Sequence, residues 1–170
     1  GELDFEAALI ERVGLLRGLD EAVIDHVLQT RITYMSGGYE LVQTMKAAGG
    51  YAALVSGGFT AFTARVAAAL GFDENRANTL IAEAGKLTGD VGRPILGREA
   101  KVAALEEITA RLGMSPRDVL AVGDGANDLG MLTLAGTGVA LHAKPSVQAR
   151  CEVRINHGDL SALLFIQGYA

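Results

Sequence analysis

The sequence predicts an α/β protein built on a largely parallel, Rossmann-like sheet. Three observations predict it. Residues 51–55 and 119–122 are short continuous apolar runs, which suit strands buried on both faces of a parallel sheet. Segments of helical period alternate with them. Both runs end in polar, glycine-rich turns, Ser56-Gly57-Gly58 and Gly123-Asp124-Gly125. Open parallel sheets bind ligands at the carboxyl ends of their strands, so both turns are expected at one sheet edge.

Each element has its own signal. Phe5, Ala8, Leu9, Val13 and Leu16 recur at helical spacing and predict a helix over 5–16, stopped at Gly18. Asp20 is placed to cap a second helix over 20–28. The Ser36-Gly37-Gly38 turn opens a third over 39–47, and Gly49-Gly50 ends it. After the first strand comes a helix over 61–70, closed by Gly71. Gly85 lies between two runs of strand character, 78–83 and 87–91, and predicts a small hairpin at about 78–91. Residues 99–112 form a helix closed by Gly113. Beyond the second strand lie a helix over 128–135, short strands at 138–141 and 153–155, and a closing helix over 160–167. The first thirty residues are helical only, so 1–30 is expected to stand apart from a core over 31–170.

Composition narrows the function. A chain of 170 residues, 49% hydrophobic and 21% charged, is globular rather than disordered. No run approaches the roughly 18 apolar residues of a membrane span. Fifteen Lys+Arg against twenty Asp+Glu give a net charge of -5, which argues against broad nucleic-acid binding. A single phosphate can still be held by a few cations and backbone N–H groups. The lone Cys151 cannot form an internal disulfide, and the acidic start Gly1-Glu2-Leu3-Asp4 is unlike a signal peptide. A cytoplasmic protein without membrane or nucleic-acid partners is expected.

The turns carry the chemistry. Asp124, Asn127 and Asp128 stand at i, i+3 and i+4, where one helical turn brings them together. Two carboxylates beside glycines suit Mg2+, which takes carboxylates, waters and phosphate oxygens; a plain capped helix is the alternative. Ser56 and the free N–H groups after it form a phosphate cradle or, equally, an ordinary helix cap. Lys101 lies near a helix N-terminus, where a cation is unfavourable unless it faces an anion or solvent. His26, His142 and His157 lack metal-ligand spacing. The order Ser56, Asp128, His157 imitates a serine hydrolase, but Leu54 occupies the glycine position of a nucleophile elbow.

Together these features resemble the haloacid-dehalogenase-like phosphohydrolases, over nearly the whole chain. Leu54-Val-Ser-Gly-Gly-Phe-Thr60 is similar to that family's second motif, Lys101 stands at the third, and Val122-Gly-Asp-Gly-Ala-Asn-Asp-Leu129 is similar to the fourth. Asn78, Gly85-Lys-Leu-Thr-Gly89 and His142-Ala-Lys-Pro145 resemble the branch acting on phosphoserine. The resemblance implies Mg2+-dependent hydrolysis of O-phospho-L-serine, the last step of serine biosynthesis, through an aspartyl phosphate. It implies that Ser56 and Gly57 bind phosphate oxygens and that Lys101 neutralises the phosphate. Asp124 would ligate Mg2+, with Asp128 supporting its water shell. Asn127 would contact phosphate or Lys101. Residues 1–30 would be the C-terminal part of a helical cap, in which Arg12 holds the substrate carboxylate and Phe5 closes over it.

The family's first motif, Asp-x-Asp after an apolar strand, supplies the nucleophile and the general acid. No aspartate of this chain has another two residues later, and Asp4-Phe5-Glu6 is the nearest imitation. The motif, and with it the central strand of the sheet, is expected upstream of Gly1. The chain alone is then expected to be inactive and to need a missing N-terminal segment or a partner chain to complete its sheet. Two other readings stay open: a phosphate- or Mg2+-binding fragment or paralogue without catalysis, and a phosphomonoesterase of different substrate.

Overall fold

The computed structural model describes residues 5–169. Residues 1–4, including the Asp4 of Asp4-Phe5-Glu6, lie outside the described residues. The chain divides into two compact units, Gly1–Leu96 and Gly97–Ala170. The contacts therefore divide it at residue 96 rather than at residue 30.

The first unit begins with α1 (Phe5–Gly14) and α2 (Ala22–Thr30). Val13 and Ile24 are their buried anchors. The N-cap of α2 is Glu21, without a side-chain cap bond, and Asp20, expected as the cap, lies one residue earlier with its Oδ1 accepting the Ala22 N–H at 2.9 Å. The residues between the helices do not stand apart. Gly18 N–H donates to the Leu87 carbonyl at 2.8 Å, Leu87 N–H to the Leu19 carbonyl at 2.9 Å, and Glu21 N–H to the Gly85 carbonyl at 2.8 Å. They extend a hairpin made of β3 (Leu80–Glu83) and β4 (Lys86–Val91). Its two-residue turn has Ala84 at φ 50° and Gly85 at φ 77°, matching the right-handed twist of the strands.

Helix α3 (Gly38–Ala47) leads to β1 (Ala53–Phe59), α4 (Thr60–Leu70) and β2 (Glu74–Asn78). Gly71, at φ +87°, ends α4 in the left-handed conformation that glycine adopts without strain. β1 starts later than expected and runs on through Ser56-Gly57-Gly58. It is half-buried along its length rather than fully buried. β2 is parallel to β1 and has no apolar signal of its own. Its hydrogen-bond partners come from β1, and Thr63 Oγ1 donates to Asn75 Oδ1 at 2.9 Å to hold it on α4. Asn78 accordingly ends β2 and does not begin the hairpin.

The second unit holds α5 (Arg98–Arg111), β5 (Leu120–Gly123), α6 (Leu129–Leu134), β6 (Thr137–Leu141), α7 (Pro145–Gln148), β7 (Val153–Ile155) and α8 (Ala162–Ile166). β5, β6 and β7 form a three-stranded parallel sheet in that order. β6, expected as a short strand at 138–141, is central, with Val139 and Ala140 fully buried. Leu105, Ala121, Leu129, Leu132, Val147 and Cys151 fill the core around it. Leu163 of α8 is fully buried, a contribution of about 1.5–3 kcal/mol. The parallel strands thus fall in two sheets, one per unit. The expected central strand is not among the described residues. No described helix is long and apolar enough to cross a membrane.

Candidate functional site

In the first unit the candidate residues collect at the end of β1. The register with β2 runs Val55 to Arg76 and resumes only at Phe59 to Asn78, so residues 56–58 bulge out of the ladder. Ser56 Oγ accepts the Gly58 N–H at 3.0 Å, which leaves the hydroxyl proton to donate elsewhere. α4 starts at Thr60 without a side-chain cap, so its first N–H groups are available to an anion. The Phe5 ring lies over Gly57, where a Cβ would stand 3.4 Å from Phe5 Cζ. Phe5 and Arg12 lie two turns apart on one face of α1, and both are exposed. An Arg93–Glu6 ion pair ties the start of α1 to the segment after the hairpin.

In the second unit, Lys101 and Asp128 form a buried ion pair, with side chains 13% and 3% exposed. Asp128 Oδ2 accepts two backbone N–H groups, from Asp124 at 3.0 Å and Gly125 at 2.9 Å. One oxygen therefore holds Lys101 and the other holds the turn. The approach needs glycine at 123, where a Cβ would stand 2.5 Å from Asp128 Cβ. Asp124 is exposed, and its carbonyl accepts the Lys144 N–H at 3.2 Å. Asn127 is exposed beside Gly125.

Charge explains the clamp. A carboxylate at the N-cap position of α6 is favourable, and it draws the Lys101 cation inward. The geometry makes Asp128 an anchor, with Asp124 the carboxylate presented outward. No group of three or more His, Cys, Asp or Glu side chains that could hold a metal occurs among the described residues. Mg2+ needs only one or two carboxylates when waters and phosphate complete its shell, so Asp124 fits as a partial ligand set. The partners of Asp128 are Lys101 and two backbone N–H groups rather than a histidine, so the serine-hydrolase reading gains no support from it. His26 and His157 are exposed, and a ring nitrogen of His142 lies 2.9 Å from the Gly158 carbonyl.

Sequence reasoning placed Asn78 in a resemblance but gave it no role. Its amide donates to the Gly57 carbonyl at 3.0 Å, directly behind the bulge. The available signal was an amide side chain closing a strand where a hydrophobic residue would be cheaper to bury.

Parallel strands that end, in one unit, in a bulged serine turn and, in the other, in a carboxylate turn clamped by a helical lysine define an α/β fold with polar side chains gathered at strand ends. Residues 1–133 match the model of the haloacid dehalogenase-like hydrolases, and the chain belongs to that family. Among relatives, it is similar to a phosphoserine phosphatase of Haemophilus influenzae, 42% identical over 96% of this chain and 52% of that protein. It is also similar to one from a Polaromonas species, 46% identical over 96% of this chain and 72% of the relative. The structure of a substrate-bound phosphoserine phosphatase complex superposes with a TM-score of 0.91 at 38% identity, covering 98% of this chain and 79% of that one. The chain thus spans about half the length of the Haemophilus relative.

Proposed function

We propose that this chain carries the phosphate-, metal- and substrate-binding residues of a Mg2+-dependent phosphoserine phosphatase, which hydrolyses O-phospho-L-serine to L-serine and phosphate. The reaction would complete serine biosynthesis in the cytoplasm. The observation that carries the reading is the Lys101–Asp128 clamp beneath the turn that presents Asp124. The substrate is supported by the relatives at 42% and 46% identity.

In this reading the Ser56 hydroxyl and the Gly57 N–H hold phosphoryl oxygens. Lys101 offsets the negative charge of the phosphoryl group and of the attacking carboxylate. Asn127 contacts phosphate or Lys101. Asp128 fixes both the lysine and the turn, and so fixes where Asp124 presents its oxygens. Bound at Asp124, Mg2+ would supply Lewis-acid polarisation of a phosphoryl oxygen. Arg12 receives the substrate carboxylate, for which a planar guanidinium is suited, and Phe5 covers it. The nucleophile and general acid are assigned to an Asp-x-Asp segment supplied from outside these 170 residues. Attack by its first carboxylate forms an aspartyl phosphate and expels serine, and water then releases phosphate.

The lack of an Asp-x-Asp pair favours one second reading, binding of phosphate and Mg2+ without turnover. Phosphate release from O-phospho-L-serine, measured with Mg2+ and with EDTA, separates the two. The 170-residue chain is expected to show none, and the chain joined to an Asp-x-Asp strand is expected to show Mg2+-dependent release that Asp124→Ala abolishes. No release from the joined protein would leave the binding reading. EDTA-resistant release would overturn the metal assignment.

A further inference from the structure

Asn78 is 1% exposed, and the other buried polar residues among those described have local explanations. Thr109 bonds to carbonyls of its own helix, Thr63 to Asn75, and Asp128 to the lysine and turn. Asn78 makes three hydrogen bonds. Its Nδ2 donates to the Gly57 carbonyl at 3.0 Å and to the Leu96 carbonyl at 3.3 Å, and its Oδ1 accepts the Leu96 N–H at 2.7 Å. Both amide hydrogens are used. Burying a primary amide is costly unless its partners need it.

The partner in need is Gly57. Residues 56–58 bulge from the ladder, so the β2 backbone offers no donor to the Gly57 carbonyl. The Asn78 side chain supplies that donor. A peptide unit is planar, with C=O and N–H pointing in opposite directions. Holding the Gly57 carbonyl therefore also directs the Gly58 N–H, which donates to Ser56 Oγ at 3.0 Å. One peptide plane links the Asn78 amide to the Ser56 hydroxyl. With its oxygen accepting from Gly58, that hydroxyl has its proton free to donate outward.

We propose that Asn78 is a positioning residue for phosphate binding: through the Gly57–Gly58 peptide it sets the direction in which Ser56 donates its hydroxyl proton. The inference rests on the reading of Ser56 as a phosphate ligand. Asn78 does not touch the phosphate.

The test is a thermodynamic cycle on the affinity for inorganic phosphate, by calorimetry with Mg2+ present, with the melting temperature recorded for each protein. Asn78→Asp keeps the shape but sets a carboxylate against two carbonyl oxygens. It is expected to weaken phosphate binding about tenfold, the effect of one misplaced hydrogen bond. Ser56→Ala should cost a similar factor, and the double variant should bind no more weakly than Ser56→Ala alone. A purely structural role would lower the melting temperature and leave affinity unchanged, or give losses that multiply; either result overturns the proposal. Wild-type affinity in Ser56→Ala, or no phosphate binding by the unaltered protein, would overturn the phosphate-ligand reading and the inference resting on it. A second measurement needs no folded Asn78 variant. On titrating the unaltered protein with phosphate, the Asn78 side-chain amide resonances should shift with the same midpoint as Gly58 N–H, and should stay still in Ser56→Ala. Silent Asn78 resonances while Gly58 N–H shifts would overturn the proposal.

Discussion

Replacing Asp128 by Asn tests the clamp with almost no change of shape. Asp128 holds three donors: the Lys101 ammonium on Oδ1, and the Asp124 and Gly125 N–H groups on Oδ2 at 3.0 and 2.9 Å. An Asn side chain has one acceptor oxygen. Turned toward the two N–H groups, it points its own NH2 at the ammonium; turned the other way, it opposes two backbone donors. Removing one member of a buried pair costs about 3–5 kcal/mol. The 13% exposure of Lys101 lets some water reach it, which places the expected loss near the lower bound, about 3 kcal/mol. For a chain of this length that is roughly 6–12 °C in melting temperature. Urea unfolding of wild type, Asp128→Asn, Lys101→Met and the double variant measures it. The double variant should lose at least 1 kcal/mol less than the two single losses added together, by the usual scale of coupling between contacting residues. Because the pair is buried, the loss should persist at high salt. A loss under about 0.5 kcal/mol, typical of an ordinary surface change, would refute the clamp.

Three other predictions follow from particular contacts. Gly123→Ala puts a Cβ 2.5 Å from Asp128 Cβ, and overpacking of this kind should cost about 1–3 kcal/mol in the same urea assay; wild-type stability would mean the turn shifts freely. The Asp73 carboxyl is held below the usual carboxylate range by the Ala52 N–H, against the opposing effect of burial and with help from Lys46. Its folded pKa is depressed, so its stabilisation relative to Asp73→Asn should be complete above the unfolded value of about 3.9 and fade as pH falls through the lower folded value; a pH-independent difference in urea midpoint would contradict this. In the chain joined to an Asp-x-Asp strand, Arg12→Ala should weaken binding of O-phospho-L-serine about tenfold more than that of an aryl phosphate lacking a carboxylate, as loss of a charge-assisted hydrogen bond implies, and equal rises in KM would remove the carboxylate role.

Much of the local structure was legible. Gly71 and Gly113 closed α4 and α5 because a left-handed residue after a helix is a local need that glycine meets. The apolar run at 119–122 marked β5, because strands within a parallel sheet need such composition. The motif around Ser56, and Lys101 with Asp124, Asn127 and Asp128, could be picked out by residue type and spacing. β2 could not, because Glu74–Asn78 is polar and is a strand only through its pairing with β1. Nor could the pairing of Gly18, Leu19 and Glu21 with the hairpin, which depends on backbone groups nearly seventy residues away in sequence. Asp128, expected to support a metal's water shell, also holds Lys101 and the Asp124 and Gly125 N–H groups, partners that spacing alone does not name.

By itself, then, the sequence determined the α/β class, the helix ends and the inventory of candidate site residues. Those follow from composition, turn chemistry and short-range spacing. Only the tertiary structure decided which of these side chains stay open to solvent and which hold the turns in place. Asp128 and Asn78 are polar residues at the ends of secondary-structure elements, and nothing local separates them from Asp124 or Asn127. They are told apart by burial: 2% and 1% exposed, they must find hydrogen-bond partners within the protein, and they find them behind the two turns. Asp124 and Asn127 remain exposed to solvent.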